Sequence, residues 1–288
     1  MNNLVLAVDI GGTHITAALI DLEKRSMIRP SLIRMPVNAA AAVKPVIDTW
    51  SACMRAAMQD VPVSKICIAM PGPFDYQGGV SLMKAQGKYD ALYQHNVKQL
   101  LAESLHCSPG QFFIKNDAAC FLQGEVFAGV ANDGFNQVVG ITLGTGLGSA
   151  FYTDGMAENA DLWQFPFRDG IAEDYLSTRW FVKQYAALSG TVLDGVKELW
   201  ACAATDARVP LLFKEFGKTL GAFLASFIEM KPAQAVVIGG NITGAYEVFQ
   251  QEMCDALHKR FPFVKVKRSV LGERAALYGA AGSWLAGR

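Results

Sequence analysis

The chain has 288 residues, enough for two modest domains, and its 51% apolar content excludes a disordered protein. Its 26 basic and 26 acidic residues balance, so there is no global field to attract a nucleic acid, an anionic membrane or a polyanion. No apolar run reaches the roughly 18 residues of a membrane span, and Asp9 interrupts the only N-terminal run resembling a signal peptide. We therefore expect a cytoplasmic protein with a small-molecule partner and no nucleic-acid or membrane partner.

Residues that commonly bind zinc are dispersed along the chain. No two of the six cysteines lie within metal-clip spacing, and the four histidines are scattered as well. Most cysteines have apolar neighbours, which is typical of buried thiols in a reducing compartment. The sequence therefore predicts no zinc site.

The first predicted elements are a strand at 4–8 and a returning strand at 14–20, joined by Asp-Ile-Gly-Gly-Thr. Glycine has no Cβ, so backbone amides in such a turn can approach and bind a phosphate. Gly11, Gly12 and Thr13 are candidate phosphate ligands. Asp9 is a candidate oxygen ligand for Mg²⁺, through water.

Strands and helices alternate in the region that follows, which indicates an α/β layered domain. The predicted elements are a strand at 27–35, a helix at 39–58, a strand at 64–70 ending at Pro-Gly-Pro, a polar loop at 74–87, a helix at 96–106 and a strand at 112–115.

Asn116 and Asp117 stand between the strand at 112–115 and a predicted helix at 118–128. Ligands gather at the carboxyl ends of strands in open α/β sheets, which favours a chemical role for the pair. Asn and Asp are also preferred helix N-caps. For Asp117 taken alone, capping and chemistry stay open.

A second strand, glycine turn and strand occupy residues 138–151, with Gly-Thr-Gly-Leu-Gly at the turn. By itself this pattern could be an ordinary hairpin. Its repetition favours a phosphate site, and a third glycine turn follows the apolar run at 235–238. Neither the Rossmann nor the P-loop spacing is present, so those folds are disfavoured. The candidate phosphate ligands of these two turns are Gly144, Thr145, Gly146, Gly239, Gly240 and Asn241.

The second half of the chain is mainly helical by pattern. After a structured loop at 153–170, the predicted elements are helices at 172–188, 192–203 and 206–230, a strand at 234–238, a helix at 246–260, a strand at 264–267 and a helix at 274–285. One face of the helix at 206–230 is predicted to be core, and it carries Leu211, Leu212, Phe216, Leu220, Phe223, Leu224 and Phe227.

Five short motifs, in this order, resemble those of the ROK family of sugar kinases and sugar-responsive repressors, in the actin-like ATPase superfamily. They lie at 9–13, 71–73, 116–117 with Glu125, 144–148 and 236–240. The resemblance covers nearly the whole chain. It implies a two-domain actin-like ATPase (ribonuclease H-like) α/β fold with a ligand cleft between the domains. Residues 1–116 plus 271–288 would form the small N-terminal domain with the returning C-terminal helix, and 117–270 the larger domain.

The resemblance also implies a function: an ATP-dependent kinase that transfers the γ-phosphate to a hydroxyl of a hexose or N-acylhexosamine, with ATP and Mg²⁺ as cofactors. Asp117 would be the catalytic base, while magnesium and the turn amides stabilise charge. Gly72, Asn116 and Asp117 would bind the sugar. The same likeness implies a homodimer.

The sequence departs from the family pattern where most members carry an E-x-G-H segment and a zinc-binding cysteine cluster. That module is absent, and residues 161–170 stand in its place. Residues 171–177 are similar to the family's L-E-x-Y-x-S ending. The resemblance therefore carries Glu173 over as a sugar ligand and Asp161 as the E-x-G-H carboxylate. Glu173 could equally be an acid that favours the start of a helix.

The family's P-N-L-x-x-W sugar loop is altered too, with residues 84–90 in its place. Lys88 in this segment is either a solvated surface charge or faces an anionic group of the substrate. The change leaves the identity of the sugar open.

Two further functions compete with the kinase: a sugar-sensing regulator and a sugar-binding protein without turnover. ROK repressors carry a DNA-binding region ahead of the first glycine motif, and here Asp9 is the ninth residue. Together with Asp117 and both phosphate turns, this favours an enzyme.

Overall fold

The computed structural model describes residues 3–287, which form two compact units. Unit 1 runs to Asn132 and also takes in Gly155–Glu158 and the chain from Glu273 onward. Unit 2 comprises Asp133–Asp154 and Asn159–Gly272. Each unit has its own main sheet and its own apolar core. Within residues 3–287, no helix combines the length and apolar character needed to cross a membrane.

The strands, in chain order, are β1 (Leu4–Ile10), β2 (His14–Asp21), β3 (Ser26–Met27), β4 (Ile33–Pro36), β5 (Ile66–Met70), β6 (Phe74–Asp75), β7 (Val80–Ser81), β8 (Phe112–Asn116), β9 (Gln137–Leu143), β10 (Leu147–Thr153), β11 (Met156–Asn159), β12 (Pro166–Phe167), β13 (Gly170–Ile171), β14 (Ala235–Gly239) and β15 (Lys265–Arg268). The α-helices are α1 (Val43–Met58), α2 (Val97–Leu105), α3 (Asp117–Phe127), α4 (Ala172–Tyr175), α5 (Thr178–Ser189), α6 (Val196–Ala201), α7 (Arg208–Met230), α8 (Tyr246–His258) and α9 (Ala275–Ala286).

The main sheet of unit 1 has the order β3-β2-β1-β5-β8, with β4 also paired to β2. β1 and β2 form an antiparallel hairpin, while β1, β5 and β8 run parallel. Residues 5–8 of β1 are completely buried, which suits an apolar strand covered on both faces. The parallel strands bring their carboxyl ends to one edge of the sheet.

The main sheet of unit 2 contains the run β10-β9-β14-β15. β9 and β10 are antiparallel, and β9, β14 and β15 are parallel. Gly239 at the end of β14 pairs with Thr142 of β9. The second and third glycine turns therefore leave neighbouring strands of one sheet.

Helix α9 packs closely on α3 within unit 1. A Cβ added at Gly279 would lie 1.6 Å from the carbonyl oxygen of Cys120, so glycine is required for this approach. The division between the units consequently falls after α3, whereas the sequence analysis placed residues 117–128 in the larger domain. Packing between helices far apart in sequence decides this point.

The predicted strand at 27–35 was wrong in its central residues, where the structure has a turn between two strands. β3 ends at Met27, and the 3-10 turn Arg29–Ser31 separates it from β4. Pro30 has no amide hydrogen for a strand ladder. The hydroxyl of Ser31 instead accepts from the Leu19 amide at 2.8 Å and donates to the Ile28 carbonyl at 2.6 Å.

The region predicted as a loop at 153–170 contains three short strands, so that prediction was also wrong. β12 and β13 form a small hairpin whose turn includes Arg168 at a φ of 56°. β12 and β13 have two residues each, too few for an alternating pattern to be detected in the sequence.

The predicted helix at 172–188 is two helices, α4 and α5, and the helix predicted at 192–203 shrinks to α6. On α7, Leu211 is 63% exposed, which corrects its assignment to the core face. The other six residues of that face are buried. Leu211 precedes Leu212 by one residue, and a step of about 100° turns it away from the core. The remaining predicted helices and strands are found with ends shifted by a few residues.

Candidate active site

Three parallel strands of unit 1 place the predicted site residues at one edge. Asp9 pairs with Ala69, and Met70 pairs with Asn116, so the ends of β1, β5 and β8 are level. Gly72 follows β5 by two residues. The structure thus brings Asp9, Gly72 and the Asn116-Asp117 pair to a common edge, as expected for a ligand site of an α/β sheet.

The first phosphate turn is a tight connection between β1 and β2. The Gly11 amide donates to the His14 carbonyl at 2.9 Å, and the Thr13 hydroxyl lies 2.9 Å from His14 Nδ1. Gly12 and Thr13 are exposed. The turn is fixed by its own backbone and presents its tip to solvent, the arrangement that an anion-binding turn needs.

Asp9 is partly buried just before this turn. Burial, the charge of Asp117 and the charge of Glu273 raise the pKa of Asp9 to about 7, while Arg34 acts in the opposite direction. A carboxylate crowded by other carboxylates favours a bound cation. Residues 3–287 contain no group of three His, Cys, Asp or Glu side chains placed to hold a metal ion. Mg²⁺ usually takes one or two carboxylates plus water and phosphate oxygens, so Asp9 fits as its ligand through water.

Asp117 is the first residue of α3, and Asn116 is its N-cap. The Asn116 Oδ1 atom accepts a hydrogen bond from the Ala119 amide at 3.1 Å. Asp117 Oδ1 accepts from the adjacent Ala118 amide at 2.9 Å. The capping role therefore belongs to Asn116, and Asp117 is not needed for it.

The environment of Asp117 is suited to proton transfer. Burial raises the pKa of Asp117 above its ordinary value, while the Ala118 amide and the charge of Lys88 lower it. A carboxylate with a raised pKa is a stronger proton acceptor than an exposed one, provided that nearby positive groups keep it ionised. Burial gives Asp117 the first feature, and the Ala118 amide and Lys88 act in the direction of the second.

Asn116 also orders the segment around Gly72. Its Nδ2 group donates to the Tyr76 hydroxyl at 3.1 Å, and that hydroxyl lies 3.2 Å from the Met70 carbonyl, to which it donates. Tyr76 is a residue that the sequence analysis did not single out. An aromatic residue inside a polar loop was the only available signal.

Lys88 and Tyr89 extend the first phosphate turn. The Tyr89 hydroxyl donates to the Gly11 carbonyl at 2.5 Å. A Cβ added at Gly12 would lie 3.9 Å from Lys88 Cδ, which places the lysine stem beside the turn. The sequence analysis left the role of Lys88 open and did not consider Tyr89, because nothing local in the sequence links residue 89 to residue 11.

The second phosphate turn, in unit 2, is held by the start of α5. The Gly144 carbonyl accepts from the Thr178 amide at 2.8 Å and from the Thr178 hydroxyl at 2.9 Å. The Gly144 amide donates to the Gly146 carbonyl at 3.1 Å. Thr145, at the tip of the turn, is exposed.

Glu173 supports the same turn from α4. Its Oε2 atom accepts from the Leu147 amide at 3.0 Å, and its other oxygen pairs with Arg179. A Cβ added at Gly146 would lie 2.5 Å from Glu173 Oε2. Gly146 therefore makes room for this carboxylate. Glu173 is more than an acid in the first turn of a helix, because it binds the phosphate turn directly.

The third glycine turn lies against the second. Gly240 has a φ of 89°, and a Cβ there would lie 2.3 Å from the Leu143 carbonyl oxygen, so glycine is required. The Gly240 carbonyl accepts from the Thr243 hydroxyl at 2.7 Å. Asn241 begins a 3-10 turn and is exposed. The structure thus joins the predicted residues 144–146 and 239–241 in one part of unit 2.

The structure gives Asp161 a less defined place. It is exposed, has a φ of 49°, and its Oδ1 atom accepts from Asn159 Nδ2 at 2.8 Å. Its role as a sugar ligand stays a prediction.

An open pocket of about 500 Å³ lies beside Thr145 in unit 2. Thr145 and Thr178 contribute hydroxyls to it, and Arg179 and Lys183 contribute cations. The remaining lining residues are Val182, Ala186, Val192, Leu193 and Asp194. The pocket therefore combines apolar and polar side chains, as small-molecule sites commonly do.

Comparison with known proteins assigns the family. The ROK family model matches residues 5–159, which is more than half of the chain. The protein therefore belongs to the ROK family, and the resemblance drawn from the motifs is confirmed.

Two curated relatives are similar over most of their length. N-acetylgalactosamine kinase AgaK of Shewanella sp. (strain ANA-3) is 24% identical over 265 residues, covering 84% of this chain and 82% of the relative. N-acetyl-D-glucosamine kinase of Photobacterium profundum is 24% identical over 309 residues, covering 95% of this chain and 96% of the relative.

Among solved structures, a ROK family glucokinase from Streptomyces griseus in complex with glucose and AMPPNP matches with a TM-score of 0.75 at 24% identity. The match covers 96% of this chain and 98% of the other. The chain has the α/β actin-like ATPase fold of the ROK sugar kinases, which confirms the predicted fold class.

Proposed function

We propose that this protein is an ATP-dependent kinase that transfers the γ-phosphoryl group to a hydroxyl of a hexose or an N-acylhexosamine. Family membership and the sugar-kinase names of the relatives support this proposal. The observation that carries it is the position of Asp117: at the same sheet edge as the first phosphate turn, with the helix cap supplied by Asn116, and with a raised pKa.

In the proposed reaction the sugar hydroxyl oxygen bonds to the γ-phosphorus, and the bond from that phosphorus to the bridging oxygen of ADP breaks. The hydroxyl proton moves to the Asp117 carboxylate. Burial supports this step because it raises the pKa of Asp117, while the Ala118 amide and the charge of Lys88 act in the opposite direction. Amides of the glycine turns donate to the phosphate oxygens and stabilise the charge that develops there.

Asp9 would hold Mg²⁺ through water, and the ion, when bound, neutralises phosphate charge. Within unit 2, the turns at 144–146 and 239–241 are the proposed phosphate ligands, and the pocket beside Thr145 is the proposed nucleoside site. Gly72, Asn116, Asp161 and Glu173 are the proposed sugar contacts. For Glu173 this role would come in addition to its bonds to Leu147 and Arg179.

Measuring ADP release with magnesium across a panel of hexoses and N-acylhexosamines tests the proposal. We expect a sugar-dependent rate for at least one member, with one sugar phosphate formed per ADP. ATP without sugar is the control for background hydrolysis. Tight binding of a sugar without any phosphate transfer across the panel would contradict the kinase and favour a sugar sensor.

A further inference from the structure

Lys88 lies beside the first phosphate turn in unit 1. It is partly buried, and its stem runs past Gly12, since a Cβ there would lie 3.9 Å from Lys88 Cδ. Its charge also acts on the Asp117 carboxylate.

Tyr89 fixes this position. Its side chain is completely buried, its ring packs edge-on against Trp50 with centroids 5.1 Å apart, and its hydroxyl donates to the Gly11 carbonyl at 2.5 Å. Its amide donates to the Ala39 carbonyl at 2.7 Å. The residue after Lys88 is therefore bonded to the residue before Gly12. The lysine and the turn are held in register without a ligand, as preorganised catalysis requires.

We infer that Lys88 is a catalytic residue whose ammonium group contacts the γ-phosphoryl group during its transfer, and that Tyr89 is the residue that positions it. The inference rests on the proposed kinase function. It adds a cation, fixed to the first phosphate turn, to the turn amides and Asp117.

The chemistry of the step is suited to such a group. As the sugar oxygen bonds to the γ-phosphorus and the bond to the ADP oxygen breaks, negative charge spreads over the phosphoryl oxygens. The proton goes to Asp117. An ammonium group beside the Gly12 turn can donate to these oxygens, and a charge-assisted bond of this kind is stronger than a neutral one.

An acidic substituent on the sugar would be recognised by the same ammonium chemistry. The stem of Lys88 runs along Gly12, a phosphate-turn residue, which favours the phosphoryl group. Removing the lysine distinguishes the two ligands. Loss of a contact to the phosphoryl group weakens AMP-PNP binding, whereas loss of a contact to an acidic sugar raises the KM of that sugar.

The test compares AMP-PNP with ADP, because only the former carries a γ-phosphate equivalent. Calorimetric titration with magnesium is done on the full chain and on Lys88→Met. We expect the affinity for AMP-PNP to fall roughly 10 to 100-fold and that for ADP to stay within about twofold. Lys88→Arg, which retains a cation, should recover part of the loss.

Lys84→Met is the matched control in the same segment. Lys84 is exposed, and its ammonium lies 5.2 Å from the centre of the Tyr93 ring, so both nucleotide affinities should stay at the parent's values. Tyr89→Phe keeps the ring packing and removes only the bond to Gly11. It should weaken AMP-PNP several-fold relative to ADP, a change of ratio that a purely structural role would not produce.

Equal loss of both nucleotides in a folded Lys88→Met variant, or no loss of either, would overturn the inference. A defect confined to the KM of an acidic sugar would also overturn it, in favour of a substrate anion site. A parent that binds AMP-PNP and ADP but transfers no phosphate to any sugar would contradict the proposed function separately.

Discussion

Asp9 shows how the titration of one partly buried carboxylate at the candidate site can make the stability of the protein depend on pH. Its pKa is about 7 in the folded protein, against 3.8 for an ordinary aspartate. Between these two pH values the folded protein holds a proton that the unfolded chain has released. The free energy of unfolding therefore falls as the pH rises from about 4 to about 7, and Asp9 adds no further change above that.

Asp9→Asn should remove this dependence, because an amide does not titrate. Urea unfolding in EDTA at pH 5 and pH 8 should show a smaller difference in unfolding free energy for the variant than for the parent. The change should be at most a few kcal/mol, since each pH unit between the two pKa values corresponds to about 1.4 kcal/mol. Asp48→Asn, at an exposed position paired with Lys44, is the control. Identical pH dependence in the parent and the Asp9 variant would show that the Asp9 carboxyl is not desolvated.

Gly144 and Gly146 are glycines of the same turn for two different reasons: Gly146 makes room for Glu173, and Gly144 is proposed to let a phosphate approach. A Cβ at Gly146 would displace Glu173 from the Leu147 amide, whereas a Cβ at Gly144 meets nothing within 4 Å. Gly146→Ala should therefore cost about 1 to 3 kcal/mol of stability through the unpaired Leu147 amide. Gly144→Ala should keep the parent's Tm and weaken nucleotide binding more than sugar binding. Thermal unfolding and calorimetry measure both effects, and a Gly144→Ala variant with normal nucleotide affinity would refute a phosphate role for that residue.

At the scale of elements, the break between α4 and α5 positions Thr178 against the second phosphate turn. In a continuous helix, Thr178 would follow α4 without a break. Instead the chain turns before Thr178, and the amide and the hydroxyl of Thr178 both donate to the Gly144 carbonyl. Apolar spacing over 172–188 suits one helix, and the competing bond is to a residue 34 positions away. Such non-local bonds are outside the reach of periodicity.

Thr178→Val should loosen the second phosphate turn, because it removes the hydroxyl bond and keeps both size and branching. We expect a loss of about 0.5 to 1.5 kcal/mol in stability or nucleotide affinity. Thr178→Ser retains the hydroxyl and should behave like the parent. Equal losses in the valine and serine variants would show that packing of the Thr178 methyl group, and not its hydroxyl, is responsible.

The β12–β13 hairpin occupies the place where most ROK proteins are expected to carry the zinc module. Phe165 and Phe167 pack edge-on against Phe223 of α7, with ring centroids 5.9 and 5.6 Å apart. Arg168 lies over the Tyr175 ring at 5.1 Å and donates to Thr219 at 3.1 Å. Aromatic and polar contacts hold the segment to unit 2.

Phe167→Ala should consequently destabilise the protein by about 3 kcal/mol, since this residue is only 8% exposed and packs against other aromatic rings.

EDTA should leave the parent's Tm unchanged, and elemental analysis should find no zinc. Stoichiometric zinc, or unfolding on chelation, would contradict a hairpin held by aromatic packing.

For the whole molecule, local signals predicted most of the individual parts. Apolar strands beside Gly-rich turns predicted the hairpins β1–β2 and β9–β10, and Asn116-Asp117 was placed at the end of a strand. The binding of phosphate by these turns stays a prediction. The assignment of α3 to unit 1, the Tyr89 bond to Gly11 and the Glu173 bond to Leu147 depend on contacts between distant segments. Motif order selects the family, while tertiary packing determines what each polar group contacts. The homodimer implied by the family resemblance remains a prediction.

Phosphate transfer by the parent and by Asp117→Asn, measured with the sugar that the panel identifies, tests the central claim most directly. Asparagine keeps the shape of the side chain and removes the base, and Asn116 retains the helix cap, so the variant should fold like the parent. We expect turnover to fall roughly 100 to 10,000-fold while sugar affinity changes little. A variant that phosphorylates the sugar at the parent's rate would contradict the assignment of Asp117 as the base.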